Sequence, residues 1–179
     1  MTHEKTTMLA KMGLLAAISI GLILIIQIPF PPLPFLKYDA ADIPILLATF
    51  AFGPVAGLCV LFVVSALQAF LLAGDGIIGF FMHMAATGGF VLVAGNIYRL
   101  KKTKKNALFA LLLGVLTMVV TMALWNILVT PIYMGIPRMA LIKTYLPLIV
   151  LFNVLKAGIN AAITFIIYKP LSPLLHPKH

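Results

Sequence analysis

The sequence predicts an all-α integral membrane protein with six transmembrane helices. Of its 179 residues, 63% are hydrophobic and only 9% are charged, and the mean hydropathy is +1.14. Several apolar stretches approach the roughly 20 residues that cross a bilayer as a helix. Stretches such as "LLAAISIGLILII" lack the polar–apolar alternation of a transmembrane β-strand, which favours helices. The length predicts one membrane domain over residues 1–179.

Breaks in the apolar pattern divide the first part of the chain. The first span follows "MTHEKTTMLAK" and is predicted at about residues 10–28. Four prolines in residues 29–42 exclude a continuous helix there, because proline lacks a backbone donor and disfavours helix at the residue before it. A short second span is predicted at 42–52, with Asp42 as its N-cap and with "GP" at 53–54 as its end.

The rest of the chain contains four longer apolar runs. The turn residues "GDG" at 74–76 and the basic loop "RLKKTKKN" separate the first three of them. Before the last run, "PIYMGIPRMALIKTY" predicts an outside loop or an interfacial helix. The four spans are predicted at 54–73, 77–98, 107–130 and 146–168.

Positive charge is concentrated at a few places along the chain. The net charge is +9, with five basic residues at 99–105 and others near the termini, at Lys5, Lys11, Lys169 and Lys178. This pattern is typical of cytoplasmic segments that flank membrane helices and contact anionic lipid. It predicts cytoplasmic termini, a cytoplasmic basic loop and no nucleic-acid partner. Four spans before the loop and two after it satisfy the even number that this orientation requires.

The second predicted span is too short to cross a bilayer by itself. Its apolar part would rise only about 16 Å, against a hydrocarbon core of about 30 Å. We therefore expect residues 34–41 to supply the remaining length as extended chain over a cavity, since irregular backbone at membrane depth needs protein or water beside it.

Signatures of catalysis are missing from the sequence. It contains no Gly-rich P-loop with Lys and Ser/Thr, no HExxH motif and no Cys/His cluster, so we expect neither an enzyme nor a metal site. The four acidic residues all lie outside the predicted helix interiors. A proton- or sodium-coupled carrier usually keeps an intramembrane carboxylate, so the pattern argues against self-powered transport.

Polar residues in the last two spans are the candidates for ligand binding. Lys156 is the eleventh residue of its apolar run, at least ten residues from either end, and has no acidic residue near it in sequence, which predicts a cation without an acidic partner. Asn153 and Asn160 share its helical face, and Asn126 lies in span five. Amides and an ammonium suit a heterocycle with carbonyls and ring nitrogens, or a carboxylate. Alternatively, the asparagines bridge helices and Lys156 pairs with a backbone carbonyl.

Small residues recur every four positions in the first span, at Gly13, Ala17 and Gly21. Such a stripe lets another helix approach closely. The stripe predicts either a helix contact inside the protein or a surface for a partner.

The chain resembles the S components of energy-coupling factor (ECF) vitamin transporters, and among them the riboflavin-type branch. The resemblance covers nearly the whole chain and is most specific in "DIPILLATFAFGP" and in the Asn-x-x-Lys of "FNVLKAG". It implies a six-helix protein of the bacterial plasma membrane that captures a vitamin from outside. It also implies docking on a shared membrane coupling subunit driven by two ATPases. The vitamin would be the transported substrate, with no resident cofactor.

The resemblance carries over to particular residues. It implies that the ligand is bound by Asn126, Asn153 and Lys156. It implies a lid that contains Phe35, Leu36 and Tyr38, and a docking stripe of Gly13, Ala17 and Gly21. Riboflavin is the favoured vitamin. Pantothenate, whose carboxylate would suit a lysine without an acidic partner, a pyridoxine-like compound and a hydroxymethylpyrimidine are alternatives. A small membrane enzyme or a structural helix bundle is the alternative of another class.

Overall fold

The computed structural model of the protein describes residues 3–72 and 76–175, without the side chains of residues 3, 133, 174 and 175. Its elements, in order, are α1 His3–Ile25, β1 Ile28–Phe30, β2 Leu33–Tyr38, α2 Asp42–Phe52, α3 Pro54–Leu67, α4 Gly76–Leu100, α5 Lys104–Leu128, α6 Thr130–Met134, α7 Arg138–Ala140 and α8 Leu146–Leu175. Two π-helical turns, Gln68–Leu72 and Leu141–Tyr145, extend α3 and join α7 to α8.

The helices overlap the spans that the sequence predicts, but the structure differs from the prediction in two respects. Within the described residues, five helical segments are long and apolar enough to cross a membrane, and the short α2 is not one of them. Strands β1 and β2 form an antiparallel hairpin that the all-α prediction did not include. The predicted outside segment becomes α6, α7 and the π-helical turn before α8. The predicted turn at 74–76 lies largely outside the described residues.

The molecule has two distinct ends. At one, which we call the basic end, the start of α5 and the last part of α8 line one cavity, through Lys104 and Lys169 among others. At the other, the hairpin end, β1 covers the first part of α8, and the rings of Phe30 and Phe152 lie 5.5 Å apart. Helix α2 ends at the basic end, where Phe50 stacks on Tyr98 with 4.3 Å between ring centroids.

Strand β2 supplies the length that α2 lacks. The extended chain Leu33–Tyr38 comes from the hairpin end and delivers the start of α2 to the middle of α8, where Asn160 donates to the Asp42 carboxylate. The expectation of extended chain in this segment is therefore confirmed for residues 33–38. The hairpin has protein beside it, which is the condition for non-helical backbone at membrane depth.

Helix α2 is the central element of the fold. Every residue from Asp42 to Ala51 is buried, as expected of a helix that is apolar all round. Neighbouring helices approach it through residues without a Cβ. At Gly95 of α4, a Cβ would lie 2.8 Å from both Thr49 Cγ2 and Pro54 Cβ, so a side chain there would push α4 away from α2 and α3.

The outer helices turn apolar side chains outward. Helix α5 carries a stripe at intervals of four residues in which each side chain is about half exposed: Leu112 60%, Leu116 57%, Val120 49% and Leu124 53%. In a water-soluble protein such a face would cost free energy, whereas lipid tails solvate it. The stripe indicates which side of α5 faces the bilayer.

Candidate ligand-binding site

The polar residues of α8 lie on its inner side. Asn153 and Asn160 are 1% and 0% exposed, and the Lys156 side chain between them is 11% exposed. Their spacing of three and four residues therefore places them together, as the sequence predicts. The three side chains face the hairpin and the neighbouring helices rather than lipid.

Lys156 is paired with a carboxylate, which corrects the prediction that it has no acidic partner. Its Nζ donates to Asp39 Oδ2 at 2.8 Å, and the Asp39 side chain is only 8% exposed. The two residues are 117 positions apart in sequence. Asp39 reaches Lys156 because β2 ends beside the middle of α8. The ammonium makes no other hydrogen bond with the described residues, so two of its three N–H groups are available to a ligand.

Asp42 does not cap α2, contrary to the sequence prediction. Ala41 occupies the N-cap position, and the Asp42 carboxylate accepts hydrogen bonds from Thr87 at 3.0 Å and from Asn160 at 3.3 Å. His83 Nε2 lies 3.2 Å from the same carboxylate. Burying this carboxylate would be very costly without such partners, and here α4 and α8 supply them.

His83 connects this carboxylate to α3. Because a carboxylate only accepts, Nε2 donates to Asp42, and Nδ1 of the neutral ring then accepts from the Ser65 hydroxyl at 2.9 Å. The histidine thus belongs to a hydrogen-bond network that joins α2, α3 and α4. The described part of the chain contains no group of three or more His, Cys, Asp or Glu that could hold a metal ion.

Asn160 and Tyr38 tie the hairpin to α8. The Tyr38 hydroxyl donates to Asn160 Oδ1 at 2.9 Å, and Asn160 Nδ2 donates to the Asp39 carbonyl at 3.3 Å. Together with the ion pair of Lys156, these contacts hold the end of β2 in place.

The other two amides of the predicted site each donate one hydrogen bond within their own helix. Asn153 Nδ2 donates to the Ile149 carbonyl at 2.8 Å, and Asn126 Nδ2 donates to the Met122 carbonyl at the same distance. Asn126 Oδ1 accepts from Thr130 at 2.9 Å. Among the described residues, Asn153 makes no further side-chain bond, which leaves its carbonyl and one N–H for a ligand.

A small cavity lies at the hairpin end beside Asn126. Its volume is about 20 Å³, and its lining includes Phe35 of β2, Ile149 of α8 and residues of α6 and the π-helical turn before α8. This volume holds about one water molecule. Residues of the hairpin and of α6 border this space.

The three predicted lid residues occupy different environments. Phe35 is 56% exposed and borders the cavity beside Asn126. Leu36 and Tyr38 are half-buried on the opposite face of β2, as the period of two predicts. The structure therefore brings Phe35 to Asn126 and Tyr38 to Asn160, while Leu36 has no polar role. Their function as a lid stays a prediction.

The small-residue stripe of α1 lies on the outer face of that helix. Gly13 and Ala17 are exposed, and a Cβ built at Gly13 or Gly21 would meet nothing within 4 Å. Helix α1 packs inward through other residues, including Ser19, whose hydroxyl donates to the Ala41 carbonyl at 2.9 Å. Within the described residues, Gly13 and Gly21 therefore make no close packing contact, and the docking role of the stripe stays a prediction.

Comparison with known families decides what kind of protein this is. The family model described as "ECF transporter, substrate-specific component" matches residues 7–168. The chain belongs to this family. Members are transporter subunits rather than enzymes, and with five long apolar helices this ECF substrate-specific component is a membrane protein.

Two proteins that are similar to this chain over nearly its whole length are also named as transporters. The component is 32% identical over 179 residues to the riboflavin transporter RibU of Staphylococcus aureus (strain TCH60), covering 96% of this chain and 94% of the relative. It is 27% identical over 185 residues to the riboflavin transporter FmnP of Bacillus subtilis (strain 168), covering 97% of this chain and 96% of the relative.

Solved structures share the fold. A structure reported as the S component of a bacterial ECF transporter superimposes with a TM-score of 0.83 and 30% identity, covering 96% of this chain and 99% of that one. The structure of ThiT from Listeria monocytogenes superimposes with a TM-score of 0.66 at 16% identity, covering 97% of this chain and 98% of that one. The second likeness bears on the fold alone.

Proposed function

We propose that this ECF substrate-specific component binds riboflavin from outside the cell. The observation that carries the proposal is the similarity, along nearly the whole chain, to relatives named riboflavin transporters, at 32% and 27% identity. The chemistry of the site fits. Asn153 and Lys156 offer amide and ammonium donors and an amide acceptor beneath the hairpin, and the flavin ring presents carbonyls and ring nitrogens.

The charge of the site favours a neutral ligand. Among the described residues, Lys156 is the only lysine in the buried polar cluster between the start of α2 and the middle of α8. The carboxylates of Asp39 and Asp42 belong to the same cluster. A third carboxylate, such as that of pantothenate, would enter a site whose one ammonium is already neutralised, and like charges repel strongly at low dielectric. This arrangement supports riboflavin over pantothenate.

We infer that Asn126, Asn153 and Lys156 contact the vitamin and that the hairpin with Phe35, Leu36 and Tyr38 is the lid. The small cavity beside Asn126 supports this, because β2 and α6 contribute to its lining. Lid opening would separate Tyr38 from Asn160, which costs hydrogen bonds that the bound vitamin would offset. The vitamin would be the transported substrate, and we expect no resident cofactor.

Transport would require partners. The component would dock on the ECF membrane coupling subunit, which is driven by two ATPases, through the outward stripe of Gly13, Ala17 and Gly21. The sequence itself contains no P-loop to supply the energy. The host membrane would be the bacterial plasma membrane, with lipid around the outer helices.

We infer six crossings, with β2 and α2 forming the second, and both termini and the loop at 99–105 in the cytoplasm. In a Cys59→Ser background, a cysteine introduced by Lys102→Cys should resist a membrane-impermeant thiol reagent in intact cells. A cysteine introduced by Lys37→Cys, on the exposed side of β2, should react. Both should react after permeabilisation. Labelling of the cysteine at 102 in intact cells would contradict this orientation.

The ligand assignment is tested on purified protein. Mass spectrometry of the small molecule released on denaturation should find riboflavin, and titration of ligand-free protein should quench flavin fluorescence at about one vitamin per chain. Pantothenate, pyridoxine and a hydroxymethylpyrimidine should fail to compete at equal concentration. Release of one of these compounds instead would overturn riboflavin but keep the vitamin role, whereas no ligand of any kind would favour a structural helix bundle.

A further inference from the structure

A second cavity lies at the basic end, away from the predicted vitamin site. It has a volume of about 210 Å³ and lies between the ends of α2, α4 and α8 and the start of α5. Its rim carries Thr103, Lys104 and Lys169, and its floor is formed by aromatic rings of α2, α4 and α8. The proposed vitamin chemistry uses none of these residues.

All the charged residues that line this cavity are basic. Lys104 and Lys169 come from different helices, and no acidic residue is among the lining residues. Within the described part of the chain, neither lysine forms an ion pair with a carboxylate. Lys104 also begins α5, whose first-turn N–H groups and helix dipole favour an anion on the same side. The rim therefore presents two cations from separate helices to one small space.

The floor of the cavity contains three aromatic rings that pack on one another. Phe50 stacks on Tyr98 at 4.3 Å, and both rings meet Tyr168 edge-on at 5.3 and 5.5 Å. The Tyr168 hydroxyl donates to the Phe50 carbonyl at 3.2 Å. The charged groups that line the cavity are therefore the lysines of its rim, and these suit a small anionic group.

An apolar surface continues from the rim. Ile166, one turn before the end of the cavity lining on α8, is 69% exposed and turns toward the bilayer. Aromatic residues and lysines at the end of a transmembrane helix mark the level of lipid headgroups. A molecule with a phosphate at the lysines and a hydrocarbon chain along Ile166 would satisfy both parts of the site.

We propose that this cavity binds the headgroup of one anionic phospholipid of the cytoplasmic leaflet. The phosphate lies between Lys104 and Lys169 at the start of α5, and the acyl chains follow the face of α8 that carries Ile166. The lipid bridges α5 and α8 at the end where the connection between α4 and α5 is short. This proposal rests on the cytoplasmic orientation of the basic end and not on the identity of the vitamin.

The test uses the full-length protein in detergent, with phosphatidylglycerol as the probe and phosphatidylcholine of the same acyl chains as the reference. Native mass spectrometry should find about one tightly retained phosphatidylglycerol per chain and no comparable retention of phosphatidylcholine. The double variant Lys104→Gln with Lys169→Gln should lose this retention by about tenfold or more, as removal of one or more charge-assisted contacts predicts. The variant Lys104→Arg with Lys169→Arg should keep it.

The matched control is Lys101→Gln with Lys102→Gln. It removes the same charge from the same end, but neither residue lines the cavity. Retention should be unchanged in this control, and vitamin binding should be unchanged in all the variants, which also reports correct folding. Equal loss of lipid retention in both glutamine double variants would show that the basic end attracts anionic lipid through its general charge. No loss of retention in either would show that the lipid does not bind at the cavity. Displacement of the lipid by inorganic phosphate alone would assign the site to a soluble anion. Each of these three results overturns the proposal.

Discussion

Replacing Lys156 with methionine is expected to weaken riboflavin binding by about ten- to a hundred-fold. The ammonium is buried beneath the hairpin and has N–H groups left for a ligand after its bond to Asp39. A hydrogen bond to a charged group contributes about 1.5–3 kcal/mol, and every 1.4 kcal/mol is a factor of ten in affinity. Methionine keeps much of the length of the side chain and removes both the donors and the positive charge. Fluorescence titration with riboflavin measures the loss.

The same substitution should also destabilise the ligand-free protein. It leaves the Asp39 carboxylate buried without its cation, and breaking a buried ion pair from one side costs about 3–5 kcal/mol. This expectation differs from that for a lysine without a partner, whose removal would leave stability unchanged or higher. The decrease should appear as a lower midpoint of thermal unfolding in detergent.

A double variant separates the two effects. Asp39→Asn with Lys156→Met removes both charges, and the asparagine carbonyl can still accept from the Ala41 N–H, as Asp39 Oδ1 does at 3.2 Å. We expect thermal stability to return toward that of the unmodified protein while riboflavin affinity stays low. Recovery of both would show that Lys156 acts only through the fold. Unchanged affinity in Lys156→Met alone would remove the residue from the binding site.

Replacing Ala17 with leucine should abolish most transport and leave riboflavin binding intact. Ala17 lies at the centre of the outward stripe on α1, where a partner helix would approach closely. Overpacking of a tight contact costs about 1–3 kcal/mol, so docking should weaken about tenfold or more. Vitamin uptake by cells that contain the coupling subunit and its ATPases, with co-purification of the complex, measures the effect.

The control for this variant is Ala162→Leu. Ala162 is also an exposed alanine on the outside of a long helix, but it lies on α8 and away from the stripe. It should leave uptake, assembly and riboflavin binding unchanged. If both variants transport normally, α1 does not form the docking surface. If Ala17→Leu loses riboflavin binding while the complex still assembles, the stripe serves the ligand site instead.

The local sequence determined the helices and the direction in which some of their faces point. Apolar runs become helices because in lipid every backbone polar group must be satisfied within the segment, and a helix does this without help from elsewhere. The prolines of residues 29–42 excluded a helix for a similarly local reason. The shared face of Asn153, Lys156 and Asn160 followed from the helical repeat, which is also local.

Only the tertiary structure decided the partners of the buried polar groups. Asp39 meets Lys156 across 117 residues, and Asp42 meets Asn160 across 118. Neither pairing leaves a local pattern, because each depends on where β2 delivers the start of α2 against α8. A buried role for the two aspartates of "YDAAD" could have been inferred only from their position beside a span too short to cross the membrane. Hydropathy reports how a segment partitions between water and lipid, whereas the partner of a buried charge depends on long-range packing that no single segment contains.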